Sequence, residues 1–233
     1  MVGGESFAVL VMADAPRPGA TKPALEPLLG PEGCARLQRA LIARAGRWAA
    51  ASGEPYVAYA PAGAREEIAG LAPAGAALFA QADGHRGERL AAAFERVCEQ
   101  HGGPVVMIGI DQPALSSTHA RAAADDLRAG VDVTLGPATG GGYYLLGATR
   151  FDPALFAIDP AAWGGGDVMS LTLRSLLDAG LSFGWLRSER ELDGPGDAAA
   201  LLADPCSPRD IREALETGHV ASWRGPCRQP PGF

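Results

Sequence analysis

The chain has 233 residues, of which 47% are apolar and 20% are charged, the composition of an ordinary globular protein. This length suits one α/β domain with a full hydrophobic core. The formal net charge of -7 offers no electrostatic attraction to nucleic acid or to an anionic membrane surface, so we expect neither as a partner.

Short apolar runs alternate with longer amphipathic stretches along the chain. In chain order, the apolar runs predict strands over residues 6–13, 55–60, 77–81, 104–110, 132–136, 142–147 and 182–186. The amphipathic stretches predict helices over residues 31–51, 87–100, 117–129, 167–179 and 208–217. This alternation is typical of a three-layer α/β/α fold with a mostly parallel sheet.

Local signals support several of these boundaries. Pro31 suits the first position of the helix at 31–51, Ser117 can cap the helix at 117–129, and Gly180 ends the helix at 167–179. No helix separates the strands at 132–136 and 142–147, so we expect a small antiparallel insertion at that point. We expect one domain over residues 1–217 and an irregular tail over residues 218–233.

The cysteines and the N-terminus bear on the cellular compartment. Cys34, Cys98, Cys206 and Cys227 are scattered, which favours buried thiols in a reducing compartment, with a Cys206–Cys227 disulfide as the alternative. The apolar stretch at 7–13 is short for a signal peptide and no Lys or Arg precedes it, so a buried strand explains it better. No stretch reaches the ~20 apolar residues of a membrane span. We therefore expect a cytoplasmic protein.

The loop after the first strand, residues 13–22, is rich in proline and glycine and contains Arg17 and Lys22. Such a loop can present backbone N–H groups to a phosphate, and its cationic side chains add charge. Lys22 is the one lysine among 20 basic residues, which favours a position that needs a compact ammonium group, although a single lysine also arises by chance. The loop is not a P-loop, because it lacks G-x-x-x-x-G-K-[ST].

Two carboxylates follow predicted strands. Asp111 comes directly after the apolar strand at 104–110, where a carboxylate is costly to desolvate unless a cation meets it. A divalent metal with a preference for oxygen, Mg²⁺ or Mn²⁺, would do so; the alternative is that Asp111 only caps the next turn. Asp193, after the last strand, can complete the same metal site or cap a short helix, and for Asp197 the capping role is favoured.

A zinc-protease motif is absent from the sequence, which has no H-E-x-x-H. The histidines at 85, 101, 119 and 219 show no metal-ligand spacing, so we expect them to be surface residues.

Five segments, taken in order, resemble one known family. They read A-P-R-P-G-A-T-K-P-A-L at 15–25, Q at 81 with G-E-R at 87–89, I-G-I-D-Q-P-A-L at 108–115, L-G-P-A-T-G-G-G-Y-Y-L-L-G at 135–147 and E-L-D-G-P-G-D at 191–197. The chain resembles the nucleotide-diphospho-sugar-transferase-like proteins, also called selenodomain-associated transferases and once classed as a domain of unknown function. These proteins are relatives of the molybdenum-cofactor and 2-phospho-lactate guanylyltransferases.

The resemblance implies a fold of the GT-A type and a set of site residues. Lys22 and Asp111 would be catalytic, with a metal, Mg²⁺ or Mn²⁺, on Asp111 and Asp193. The nucleotide would contact the loop after the first strand and the G-E-R segment, through Ala13, Ala15, Pro16, Arg17, Gly19, Lys22, Gly87 and Arg89. The second substrate would contact Gly141, Gly142 and Tyr143.

The chain departs from the family pattern at four places. Ala24 replaces an arginine, Gly140 and Glu191 each replace an aspartate, and His85-Arg86 replaces an Asp-Leu pair. Because Lys22 and Asp111 are retained, we expect nucleotide and metal binding to persist while the preference for the acceptor has shifted. The alternative is that Arg17 and Arg86 supply the missing contacts.

These inferences predict an enzyme that joins a nucleoside triphosphate to a phosphorylated small-molecule acceptor and releases pyrophosphate. A glycosyltransferase that uses a nucleotide-sugar is the first alternative, although the D-x-D motif usual in that class is absent from the sequence. A non-catalytic nucleotide-binding protein on the same fold is the second, and the lost arginine and aspartate support it.

Overall fold

The computed structural model describes residues 6–219, which contain one seven-stranded sheet with helices on both of its faces. The strands are β1 Ala8–Asp14, β2 Glu54–Ala60, β3 Ala77–Ala80, β4 Val105–Ile108, β5 Val133–Pro137, β6 Tyr143–Ala148 and β7 Phe183–Trp185. The helices are α1 Glu26–Ser52, α2 Arg65–Ala69, α3 Arg86–His101, α4 Ser117–Arg128, α5 Val168–Asp178, α6 Pro195–Ala203 and α7 Arg209–His219.

The strands lie in the order β3-β2-β1-β4-β6-β5-β7. Strand β6 runs antiparallel to both of its neighbours, with Val105 opposite Ala148 and Val133 opposite Ala148, and all the other pairs are parallel. The predicted α/β/α architecture and the antiparallel insertion are confirmed. Because β6 runs against the others, its first residues lie at the edge where the parallel strands end.

The core consists of two layers, one on each face of the sheet, and the alternation of side chains along β1 shows why. Val9, Val11 and Ala13 pack into the layer beside α1, whereas Ala8 and Leu10 pack into the layer beside α3. A strand buried on both faces must be apolar at successive positions, and this produces the unbroken apolar run that predicted a parallel sheet.

Several boundaries differ from the prediction for local reasons. Helix α1 begins before the predicted start at Pro31, because a short helical segment precedes it and the two are joined through Gly30, whose φ of 66° breaks the helix. Helix α4 is capped by Ser116 rather than Ser117. The short helix α2 was not predicted, whereas α6 is the short helix that the predicted capping role of Asp197 implies.

The thiols follow the prediction in part. Cys34 is buried and Cys98 is half-buried, but Cys206 is exposed, contrary to the expectation of buried thiols. Cys227 and most of the predicted irregular tail lie outside the described residues. None of the helices within residues 6–219 combines the length and apolar composition needed to cross a bilayer.

Candidate active site

A cleft of about 490 Å³ opens at the edge of the sheet where the parallel strands end. Asp14 at the end of β1, Asp111 after β4, and Gly142 and Tyr143 at the start of β6 all line it. In open parallel sheets this edge is where ligands bind. The cleft extends over both layers of the molecule, so that each layer supplies one of its walls.

The first wall, here called the ion-pair wall, consists of Lys22, Asp111 and Asp193. The Lys22 side chain is only 6% exposed, and its Nζ lies 2.6 Å from Asp111 Oδ1 and 3.9 Å from Asp193 Oδ1. It also donates a hydrogen bond of 2.8 Å to the carbonyl oxygen of Leu192. The ammonium group therefore has two hydrogen-bond acceptors and a second carboxylate nearby, which places its charge firmly at the base of the cleft.

The backbone at Lys22 is unusual. Lys22 has φ 49° and ψ 54°, the left-handed conformation, and it is the one non-glycine residue with positive φ among residues 6–219. Its carbonyl oxygen accepts hydrogen bonds from Leu25 N at 2.9 Å and from Cys34 Sγ at 3.5 Å. Such a conformation costs free energy and needs support from the surrounding structure, which is common at functional sites.

A third carboxylate, Glu191, lies between the two walls. Burial, then the negative charges of Asp193 and Asp111, raise the pKa of its carboxyl group above the ordinary value, while Arg86 and Lys22 oppose that rise. Its Oε1 accepts a hydrogen bond of 3.2 Å from the side-chain amide of Gln112.

The loops that hold Asp111 and Asp193 are joined to each other. Leu192 N donates to the carbonyl oxygen of Asp111 at 2.8 Å. Behind them, His119 Nε2 lies 2.9 Å from Glu189 Oε1, while His119 Nδ1 accepts from Ser116 N at 3.1 Å. The accepting Nδ1 fixes the proton on Nε2. The expectation that this histidine is a surface residue is wrong: it is 3% exposed because it forms this internal link.

The second wall, here called the donor wall, consists of Arg86, Tyr143 and Trp163. The rings of Tyr143 and Trp163 meet edge to face, with centroids 6.5 Å apart. The indole lies against Gly87, where a Cβ atom would be 2.4 Å from Trp163 Nε1. Trp163 Nε1 and Tyr143 Oη are buried and have no hydrogen-bond partner in the described part of the chain.

Between the walls, Arg89 is fixed by neighbouring side chains. Its Nη1 donates to Gln81 Oε1 at 3.2 Å and lies 3.8 Å from Asp14 Oδ1. Gln81 in turn donates to the carbonyl oxygen of Ala58 at 3.0 Å. Arg89 is thus held near the end of β1, on the side of the cleft nearest to the loop at 13–22.

The structure brings six of the thirteen predicted site residues together in the cleft. The cleft is lined by Lys22, Arg89, Asp111, Gly142, Tyr143 and Asp193. The remaining residues lie outside the lining. Ala13, Ala15 and Pro16 are buried, and Gly19 is on an exposed turn. Gly87 lies under Trp163, Gly141 packs against Gly166, and Arg17 Nε contacts Glu67 at 3.4 Å. The roles assigned to all these residues stay predictions.

Two questions left open by the sequence are answered by geometry. Asp197 Oδ2 accepts from Gly194 N at 3.0 Å and from Asp193 N at 3.3 Å, so Asp197 caps α6 as predicted. The carboxylate of Asp193 is 72% exposed and free of that role. Trp163 lines the cleft but was missed, because it lies in an irregular segment; its one signal was the run of three glycines that follows it.

The donor atoms suit a divalent cation that prefers oxygen. Asp111 and Asp193 share the single ammonium group of Lys22, and Glu191 is a third carboxylate beside them. A bound cation would therefore offset the excess of negative charge. Within residues 6–219, no three Asp, Glu, His or Cys side chains are grouped closely enough to form a metal site alone. A cation here would therefore complete its ligands with water and substrate oxygens, as Mg²⁺ commonly does.

Comparison with known proteins agrees with this architecture. A family model described as an uncharacterized protein conserved in bacteria (DUF2064) matches residues 43–164, more than half of the chain. The structure of a candidate nucleotide-diphospho-sugar transferase from Desulfovibrio desulfuricans superposes with a TM-score of 0.81 at 26% identity, over 91% of this chain and 94% of that one. No curated protein sequence matches the chain.

More distant structures share the fold alone. CMP:2-keto-3-deoxy-manno-octonic acid synthetase complexed with CTP superposes with a TM-score of 0.52 at 14% identity, over 85% of this chain and 97% of that one. The 4-diphosphocytidyl-2C-methyl-D-erythritol synthase of Anaerococcus prevotii gives 0.54 at 8% identity, over 83% of this chain and 95% of that one.

Proposed function

The chain belongs to the DUF2064 family, and from that premise we propose that it is a nucleotidyltransferase. It would join a nucleoside triphosphate to a phosphorylated small molecule and release pyrophosphate. The similarity to a candidate nucleotide-diphospho-sugar transferase supports a nucleotide as one substrate.

The ion-pair wall is the observation on which this proposal depends. A lysine that is 6% exposed, held in left-handed backbone beside two carboxylates, ends the loop after the first strand and lines the cleft. Nucleotidyl transfer requires positive charge on the phosphates and carboxylates for a cation, with little covalent chemistry from the protein. Lys22, Asp111 and Asp193 supply that combination.

The reaction would proceed by displacement at phosphorus. An oxygen of the acceptor phosphate attacks the α-phosphorus of the triphosphate, and the bond from that phosphorus to the oxygen that bridges to the β-phosphorus breaks. The electron pair leaves with pyrophosphate. Lys22 would balance the charge that develops on the leaving group, and Arg89 lies at the same end of the cleft. The rest of the rate enhancement would come from alignment of the two substrates.

Asp111 and Asp193 would hold a divalent cation, which when bound neutralises phosphate charge and orients the phosphate oxygens. For this to happen, the Lys22 ammonium must give up part of its contact with Asp111. The triphosphate offers the ammonium new acceptors, so nucleotide and cation are expected to bind cooperatively.

Pyrophosphate release from each of the four nucleoside triphosphates, with Mg²⁺ or Mn²⁺ and a panel of phosphorylated acceptors, tests the proposal. Asp111→Asn keeps the size of the side chain but removes its charge, and we expect it to abolish turnover while the fold is retained. Asp178→Asn is the matched control, since Asp178 is exposed at the end of α5, away from the cleft. Turnover of Asp111→Asn at the wild-type rate would refute the role of Asp111.

A second candidate is sugar transfer from a nucleotide-sugar, which the name of the Desulfovibrio protein favours. The same cleft could bind a nucleotide-sugar through its diphosphate. Transfer or hydrolysis of a nucleotide-sugar, with no pyrophosphate formed from any triphosphate, would establish this function in place of the first. Tight nucleotide binding without turnover of either kind would instead indicate a non-catalytic binding protein.

A further inference from the structure

The donor wall contains hydrogen-bonding capacity that the protein itself does not use. Trp163 Nε1 can only donate, and Tyr143 Oη has a proton to donate; both are buried, and within residues 6–219 neither has a partner. A buried donor without an acceptor is costly, so native structures nearly always satisfy such groups. Two of them on the same wall of one cleft indicate an acceptor that comes from outside the chain.

The third member of this wall adds a positive charge. The side chain of Arg86 is exposed, lines the cleft and has no ion pair or hydrogen bond within the described residues. Arg89, one turn along the same helix, differs because it contacts both Gln81 and Asp14. Burial raises the pKa of both Tyr143 and Glu191 above the ordinary values, and the charge of Arg86 opposes that rise in each. Arg86 therefore offsets Glu191, the negative group that faces this side of the cleft.

We infer that Arg86, Tyr143 and Trp163 form a subsite for an oxyanion of the second substrate, a phosphate or carboxylate group. The three groups together present N–H and O–H donors and one positive charge. An oxyanion has several acceptor oxygens and a negative charge, and guanidinium binds such groups in a bidentate manner. The inference rests on the proposed function only in that a second substrate exists.

The subsite requires a movement of Trp163. Both donor atoms are buried, and the indole lies against Gly87. Trp163 is followed by three exposed glycines at 164–166, and glycine gives the backbone wide conformational freedom. A small rotation of this segment would take the indole N–H from Gly87 towards an oxyanion held by Arg86.

Two adjacent tyrosines provide a matched pair for the test. The hydroxyl of Tyr143 has no partner, whereas that of Tyr144 donates to the carbonyl oxygen of Arg187 at 3.1 Å. We expect Tyr143→Phe to keep or raise the stability of the empty protein but to weaken binding of inorganic phosphate about tenfold. Tyr144→Phe should lower stability and leave phosphate binding unchanged. The measurements are urea unfolding and isothermal titration with inorganic phosphate, followed by acetate to distinguish a phosphate subsite from a carboxylate subsite.

Arg86→Gln should weaken binding of the same probe at least tenfold, and Arg36→Gln, on an exposed position of α1, should not. Phosphate should also change the intrinsic fluorescence of the wild type, and Trp163→Phe should remove that change. Phosphate binding that Lys22→Met abolishes but Arg86→Gln and Tyr143→Phe leave intact would overturn the inference, as would no binding of either anion. Since no step of the test needs turnover, its result is independent of whether pyrophosphate is released.

Discussion

The two walls of the cleft satisfy their polar groups in opposite ways. On the ion-pair wall, the ammonium of Lys22 already has oxygen acceptors from Asp111 and Leu192, so this wall is complete without a ligand. On the donor wall, the hydroxyl of Tyr143 and the indole N–H of Trp163 are buried and have no hydrogen-bond partner within the described residues. The difference indicates two kinds of recognition: one wall exchanges an internal partner for a ligand, and the other gains a partner only when a ligand binds.

The layers of the fold explain how the walls came to differ. Leu25 and Leu192, which flank the ion-pair wall, pack into the core layer beside α1. Tyr143 and Trp163 pack against the layer beside α3 and α5. Because the sheet separates the two layers, each wall can be changed with little effect on the packing of the other, and substitutions can test them separately.

The largest expected effect is that of Lys22→Met. Removal of the ammonium leaves Asp111 and Asp193 without their cation, so we expect turnover to fall by at least about 100-fold, the usual loss when a group that stabilises developing charge is removed. In the absence of nucleotide, Mn²⁺ should bind more tightly than to the wild type, because the ammonium no longer competes for the same carboxylates. A Mn²⁺ titration followed by electron paramagnetic resonance measures this.

The control for that experiment is Arg36→Met, which removes an exposed cation from α1 and should change neither quantity. Weaker Mn²⁺ binding by Lys22→Met than by the wild type would show that the ammonium and the metal do not compete, and the two carboxylates would then lose their assignment as metal ligands.

On the donor wall, Gly87→Ala is the sharpest structural perturbation. The added Cβ would lie 2.4 Å from Trp163 Nε1 and 2.7 Å from Cε2, so the indole must shift. We expect a loss of about 1–3 kcal/mol in the free energy of unfolding, typical of overpacking, measured by urea denaturation. Gly196→Ala in α6 meets open space and should cause no loss. Equal stabilities for the two variants would contradict the tight packing of Trp163 on Gly87.

A smaller effect is expected where the walls meet, at one of the departures from the family pattern. Gly140 lines the cleft, and a Cβ there would lie 2.6 Å from Glu191 Oε2, so Glu191 occupies the space that an aspartate at 140 would need. Gly140→Asp should therefore destabilise the protein by about 1–2 kcal/mol, and shortening the neighbour in Gly140→Asp/Glu191→Asp should recover most of that loss. Ala24, another of the departures, is exposed outside the cleft lining, and Ala24→Arg should change stability by less than about 0.5 kcal/mol.

Urea unfolding of the wild type, Gly140→Asp, Glu191→Asp and the double variant gives the coupling between positions 140 and 191. Additive losses would show that the two positions are independent, and the idea that Glu191 fills the space left by Gly140 would be wrong.

The fold was predictable from local patterns, whereas only part of the site was. The alternation of apolar and amphipathic stretches reflects which side chains each segment buries. This pattern is visible in the local sequence, so all seven strands were predicted. The sequence singled out Lys22 and Asp111 because each follows a predicted strand. It did not predict their direct contact, because the two residues are 89 positions apart, and it suggested a metal as the cation that meets Asp111.

The features that the sequence did not predict have one cause in common: each depends on contacts with residues that are distant in the sequence. His119 has the appearance of a surface residue on an amphipathic helix, but Glu189, 70 positions later, makes its burial possible. Trp163 lies in a segment with no periodicity, so only the folded structure shows that it meets Tyr143 and Gly87.

The smallest expected effect lies away from both walls, at the opposite edge of the sheet. Asp132, before the start of β5, accepts hydrogen bonds from Ser182 N at 2.9 Å and Ser182 Oγ at 2.7 Å, and these bonds lower the pKa of its carboxyl group below the ordinary value. A lowered pKa in the folded state means that the unfolded chain binds the proton more readily, so the stabilisation is present above the ordinary pKa and is lost as the pH falls through the lowered value. Asp132→Asn should therefore unfold at slightly lower urea concentration than the wild type at neutral pH, and the gap should close in acid. Asp178→Asn should show no such gap at either pH, and neither variant should alter phosphate or Mn²⁺ binding. A gap that persists unchanged in acid would show that the charge of Asp132 contributes nothing and that only the shape of the side chain matters.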